Sequence, residues 1–292
     1  MNVFFVAYVE LENTYPCADY KPGEDDLQNF DMIRKFKLDV NLDGYPGVSR
    51  VRGSNRMQTS YRIDSTANLK MPTQRVFDQG LPEQFGFVTT FRVKREPRRR
   101  WHVIRITDSR GNPQFAVALN PARKTVELSM LKYDRTLQTL SWDVKQVFTK
   151  EWHKIHFGVF RDRVILYVNC QPIGSRSMEV VDSRIDLNGE IIVSKEADSS
   201  RTVPIDLQWM VMTCDPESAE RETCDELPVS FFKCNWKKVI RMSTLVLFFS
   251  LEKNPRNQHV RKNVLQDHKE SKEFQANLVH PDHLEKEDHL EG

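Results

Sequence analysis

Between Gly44 and about Met212 the chain runs as short segments of alternating or branched apolar residues, each closed by a turn signal. "QFGFVTTFRV", "WHVIRIT", "QFAVAL", "TVELSM", "HKIHFGVF", "RVILYV", "EIIVS" and "DLQWMVM" all have this form. A two-residue period sends alternate side chains to opposite faces of a strand, so one face can cover a core while the other meets water. The punctuation is equally specific: "DSRGNPQ", "NPARK", "FRDR" and "DLNGE" carry the Gly, Asn, Asp and Pro residues that tight connections need. With no long helical segment between them, strands at this spacing predict a mainly β fold, an antiparallel sandwich or jelly roll. No internal repeat is present.

Both flanks break the pattern. In "DDLQNFDMIRKFKL", apolar residues recur at near-helical spacing with acids leading and lysines trailing, which predicts a short amphipathic helix. "VFFVAYV", Val3 to Val9, is short, lacks a preceding basic residue and is followed by Glu10 and Glu12, so it makes an unconvincing secretion signal. After Pro228 the turn grammar stops, and Leu251 to Gly292 is dense in Lys, Glu, Asp and His. Such a segment buries too little surface to offset its ordering entropy, so disorder is expected there. The expected organisation is a leader over 1–16, a β domain over 17–228 and an atypical, disordered tail over 229–292.

Composition narrows the function. Lys and Arg number 43 against 41 acids, a formal charge of +2, so no whole-molecule field draws the chain to nucleic acid and any basic site must be local. "LVLFF" at Leu245 to Phe249 is far short of the roughly 20 apolar residues of a membrane span. The sequence holds no GxSxG, P-loop, GxGxxG or HExxH signature, so no enzymatic activity is expected. Five scattered cysteines form no CxxC pair, which favours long-range disulfides over a metal ribbon. His153 and His156, three apart on a strand, would point to opposite faces and not chelate one ion. Trp101, Trp142, Trp152 and Trp209 stand at strand-like positions and are assigned to the core.

Three stretches resemble one family when taken in order: "GLPEQFGFVTTFRV", "WHKIHFGVFRDRVILYVNCQPIG" and "LQWMVMTCDP". They are similar to the thrombospondin N-terminal-like, laminin-G-type domain. The earlier "NFDMIRKFKL" and later "CDELP" match best the version in fibril-associated collagens with interrupted triple helices. The resemblance covers about Cys17 to Pro228. It implies a jelly roll of two antiparallel sheets that acts, without catalysis, as an interaction and assembly module of the secreted extracellular matrix, with matrix proteins as partners. It also implies the pairings Cys170 with Cys214 and Cys17 with Cys224, although the sequence alone leaves three connectivities open. Cys234 lies outside the resemblance and is open to three readings: a bridge between chains, a replacement partner in this scheme and, slightly favoured, a reduced thiol. Such collagens continue into Gly-X-Y triplets, and nothing after Pro228 has that period, so winding into a triple helix is not expected of these residues.

The candidate site is "FRVKREPRRRWHVIR", with seven basic residues against one acid. Arg92, Lys94, Arg95, Arg98, Arg99, Arg100 and Arg105 gather at a connection between two strands, around Pro97. Arg105 is placed on the face of Trp101 and Val103 if the strand is regular. Guanidinium groups match sulfate oxygens in pairs, so the stretch is read as a site for heparin or heparan sulfate. The competing reading is a solvated loop that keeps an edge strand from pairing with other chains. A second basic group, Arg161, Arg163 and Arg176 with Lys154, would extend the surface. No cofactor is expected beyond what the resemblance allows, calcium on rim carboxylates such as Asp108, Asp182, Asp186 or Asp198. Two other functional classes stand against the matrix reading. One is a lectin-type domain, which an exposed aromatic row would favour; the other is a truncated product retained in the cell.

Overall fold

The computed structural model describes residues 16–17 and 30–228. The expectations for the leader, Cys234 and the tail, and the first part of the helical stretch, lie outside the described residues. Two antiparallel sheets face each other. One contains, in spatial order, β12 (Gln171–Ser177), β11 (Arg163–Val168), β10 (His153–Val159), β5 (Phe85–Val93), β14 (Ile205–Thr213), β3 (Thr59–Ile63) and β2 (Val48–Arg52), with β1 (Phe30–Asp31) also on β14. The other runs β4 (Lys70–Pro72), β13 (Glu190–Glu196), β6 (Trp101–Thr107), β7 (Pro113–Asn120), β8 (Thr125–Leu131) and β9 (Leu137–Asp143).

The sheets meet through aromatic side chains that the two-residue period turns inward. Phe85 and Phe87 of the eight-stranded sheet lie 6.0 Å from Phe115 of the six-stranded one. Phe91 meets Trp101 edge-on at 5.8 Å, and Phe157 meets Trp142 at 5.6 Å. Such pairs add roughly 0.5–1.5 kcal/mol each beyond the area they bury. Turn chemistry fixes the registers. Gly111, at φ 87°, takes a left-handed conformation that "DSRGN" needs between β6 and β7. Between β11 and β12 both central residues, Asn169 and Cys170, have positive φ, as a two-residue turn following the twist of its strands requires.

Four expectations are corrected. The amphipathic helix is a single turn, α1 (Met32–Lys35), preceded by the short strand β1 and capped by the Asp31 carboxylate on the backbone N–H of Ile33. Pairing of Phe30 and Asp31 with Met212 and Val211 extends the chain where the periodicity read as helix. β5 and β6 are not a hairpin: they lie in different sheets, and each is flanked on both sides. The reading of the basic connection as protection for an edge strand therefore fails.

The disulfides join Cys17 to Cys214 and Cys170 to Cys224, with Cα separations of 5.6 and 5.9 Å. The implied pairing of Cys170 with Cys214 would have to span β5, β10 and β11, about 14 Å at ordinary strand spacing, against a limit near 7 Å for a bridge. Instead the strap after β14, with its single turn α2 (Ser218–Arg221), crosses to the turn that carries Cys170.

The last correction is Trp209. Trp101, Trp142 and Trp152 are buried, but Trp209 is 41% exposed. The register of β14 against β5 shifts between Leu207 and Trp209, inserting Gln208 as an extra residue. That bulge turns Trp209 outward and Met210 and Met212 into the core.

Candidate polyanion-binding connection

The connection 94–100 crosses from the eight-stranded to the six-stranded sheet, and its basic residues divide accordingly. At the near end, Arg92 and Arg62 flank Asp206 across β5, β14 and β3. The Nε atoms of both arginines donate to the Asp206 carboxylate at 2.8 Å, and Lys94 Nζ stands 4.0 Å from it. Asp206 is fully buried. Burial alone would push its carboxyl up, but hydrogen bonds from Arg62 and Arg92 outweigh that and hold it below the ordinary carboxylate value. The Arg92 guanidinium also lies 4.9 Å over the ring of Trp152, which fixes its plane.

At the far end, Arg100 Nε donates to Glu127 of β8 at 2.7 Å, and its backbone carbonyl accepts from Ala197. Arg105 does not share the face of Trp101. The register of β6 against β7 shifts between His102 and Ile104, and this bulge turns Arg105 to the outer face of the six-stranded sheet, in line with Ala116 and Ser129. There it is half-buried, its Nε without a partner. Burial and then the neighbouring Arg100 charge both weaken its hold on the proton. His102, beside Arg100 at 3.3 Å, is pushed down to about 3 by burial and by these two arginines, so it is neutral at physiological pH.

Between the two anchored ends, Arg95, Arg98 and Arg99 are exposed, with only Glu96 as an acid within the loop. The seven residues thus form no single flat cradle. Four are committed to, or lean on, sheet faces; three stand free at the crossing.

The second basic group does not extend this surface. Lys154 is buried and pairs with Glu222 and Glu226 of the strap at 2.6 and 2.8 Å, while Arg161 faces Glu83 and Arg163 faces Asp162. β10 does set the two histidine rings on opposite faces, His156 reaching Ser218 Oγ at 3.1 Å beneath α2. Three of the rim acids are already engaged, Asp108 and Asp182 within their own loops and Asp186 in part with the loop between β6 and β7. Asp108 accepts from the backbone of Arg110 and Asn112, Asp186 from Ser109 and Asn188, and Asp182 from Arg184. Among the described residues no three His, Cys, Asp or Glu side chains gather for a metal ion.

Sequence reading missed Asp206, Arg62 and Glu127. Asp206 and Arg62 lie 114 and 144 residues in chain separation from their partners Arg92 and Asp206, and no local pattern marks them.

No protein-family profile matches the chain. The collagen alpha-1(XXI) chain of Xenopus laevis is 32% identical over 212 residues, covering 72% of this chain and 21% of its own length. The human collagen alpha-1(XVI) chain is 31% identical over 168 residues, covering 55% of this chain and 10% of its own. This chain therefore spans about a fifth or less of those curated relatives. Among solved structures, the binding domain of Paraclostridial Mosquitocidal Protein 1 gives a TM-score of 0.47 at 16% identity, over 61% of this chain and 45% of that one. Over the matched residues the chain is similar to fibril-associated collagen chains, which supports the resemblance to their thrombospondin N-terminal-like domain, and its described residues form a jelly roll of two antiparallel sheets.

Proposed function

We propose that residues 17–228 form a noncatalytic interaction module of a secreted, collagen-type extracellular matrix chain, and that the crossing between its sheets holds sulfated glycosaminoglycan. Two long-range disulfides fit an oxidising, extracellular setting. The observation that carries the glycosaminoglycan reading is the state of Arg95, Arg98 and Arg99: exposed, clustered, and held at a connection whose two ends are tied down by Asp206 and Glu127. Free guanidinium groups on an anchored loop lose little entropy when they meet sulfates, and they gain paired, charge-assisted hydrogen bonds.

The test replaces Arg95, Arg98 and Arg99 with Ala and leaves the structurally paired Arg92 and Arg100 in place. On immobilised heparin the triple variant is expected to elute at lower salt. Its log affinity against log salt should flatten by about two to three, the counterions those contacts release. An unchanged slope refutes the site.

A further inference from the structure

A second site lies on the outer face of the eight-stranded sheet, and it has the opposite character. Trp209, turned outward by its bulge, stands in a cleft of 670 Å³, whose floor is completed by Val88, Val211 and Thr213. That volume is in the range of small-ligand sites. One wall is the α1 turn, with Asp31, Arg34 and Lys35; the other carries Lys154, Glu222 and Glu226 of the strap side. Three cations face three acids, and most are already paired: Arg34 lies 3.4 Å from Asp31, and Lys154 bridges both glutamates. No excess charge is left to attract a polyanion.

We propose that this cleft binds a neutral saccharide. An exposed indole offers a flat apolar face to the C–H face of a pyranose, and the surrounding carboxylates, ammonium groups and Gln58 offer acceptors and donors to its hydroxyl edge. A peptide fits the same cleft less well. The backbone of β14 is already paired with β5 on one side and with β3 and β1 on the other, so an extended chain lying on this floor would bury main-chain groups without partners. A pyranose can lay its apolar C–H face on the floor and keep its hydroxyls at the rim, where side chains and water supply their partners. The inference does not depend on the arginine connection.

The full chain is titrated with lactose, cellobiose, maltose and chitobiose, followed by tryptophan emission and by acrylamide quenching. Trp101, Trp142 and Trp152 are buried and Trp236 lies outside the described residues, so the Trp209 signal is read as the difference in emission and quenching between the chain and its Trp209→Phe variant. At least one sugar is expected to bind saturably and to shield Trp209 from acrylamide, a protection that is lost in the Trp209→Phe variant, which keeps Trp236. Trp209→Ala should weaken that sugar at least about tenfold and Trp209→Phe by only a few-fold, since a phenyl ring keeps part of the stacking face. The Arg95, Arg98 and Arg99 triple variant should bind the sugar unchanged. The proposal is overturned by no binding from the panel up to about 10 mM, by sugar binding without indole protection, or by a heparin fragment or peptide displacing the sugar and itself shielding Trp209.

Discussion

Replacing Asp206 with Asn should destabilise the domain and tighten heparin binding at once. Asp206 is fully buried and takes hydrogen bonds from two arginines that are 31% and 33% exposed. Removing one partner of a buried ion pair costs roughly 3–5 kcal/mol when the other charge is trapped. Here both guanidinium groups can turn toward water, so the expected loss is about 2–3 kcal/mol. With a urea slope of about 2–3 kcal/mol per molar for a domain of this size, the midpoint should fall by about 1 M, disulfides intact. The acid dependence checks the origin of the loss. The folded state holds this carboxyl below its ordinary value, so it binds fewer protons than the unfolded chain. The contribution is complete above about pH 4 and is withdrawn as pH falls through the folded pKa. The gap between the wild type and Asp206→Asn should therefore close on acidification. A loss below about 1 kcal/mol at pH 7, or one that persists unchanged in acid, refutes the reasoning. Arg92 and Lys94, freed from Asp206, should raise the salt needed to elute the variant from heparin.

His102, His153 and His156 are held by burial at about 3, 4 and 3, below the ordinary value of 6.5. Their neutral forms are the folded ones, so stability should decline as pH drops from about 6.5 toward 4, at up to about 1.4 kcal/mol per pH unit for each ring. His156→Gln should flatten that slope, and an identical slope in the variant would count against burial as the cause. A nonreducing peptide map should recover Cys17 with Cys214 and Cys170 with Cys224; recovery of Cys170 with Cys214 would contradict the fold. Cys224→Ser opens a bridge of sequence separation 54. It should cost about 2–4 kcal/mol by urea unfolding and speed amide exchange in the strap and β10, whereas exchange confined to the strap's own residues would show that the strap does not protect the sheet.

Much of the sandwich was legible because strand periodicity is local. "WHVIRIT" and "RVILYV" are strands at the residues their alternation marks, Trp101–Thr107 and Arg163–Val168. The polar strands β9 and β12 were less so, since "LQTLSWD" and "QPIGSRS" lie at the sheet edges and owe their conformation to the neighbour they pair with. The basic stretch was legible as charge but not as geometry. Nothing in it says that Arg92 would meet Asp206, that Arg100 would meet Glu127, or that Arg95, Arg98 and Arg99 would be left free.

Two bulges carry the sharpest lesson. By strict alternation from Trp101, Arg105 belongs inside; by strict alternation from Ile205, so does Trp209. One inserted residue in each strand, Val103 and Gln208, reverses the parity that follows. The sequence by itself determined the β class, the turn positions, the local origin of the positive charge and the kinship with collagen domains, because each rests on residues near one another in the chain. Only the tertiary structure decided the sheet of each strand, the partners of the cysteines and arginines, and the faces of Arg105 and Trp209. Those depend on register between distant segments, where a single-residue shift moves a side chain from core to solvent at no cost that local composition reveals.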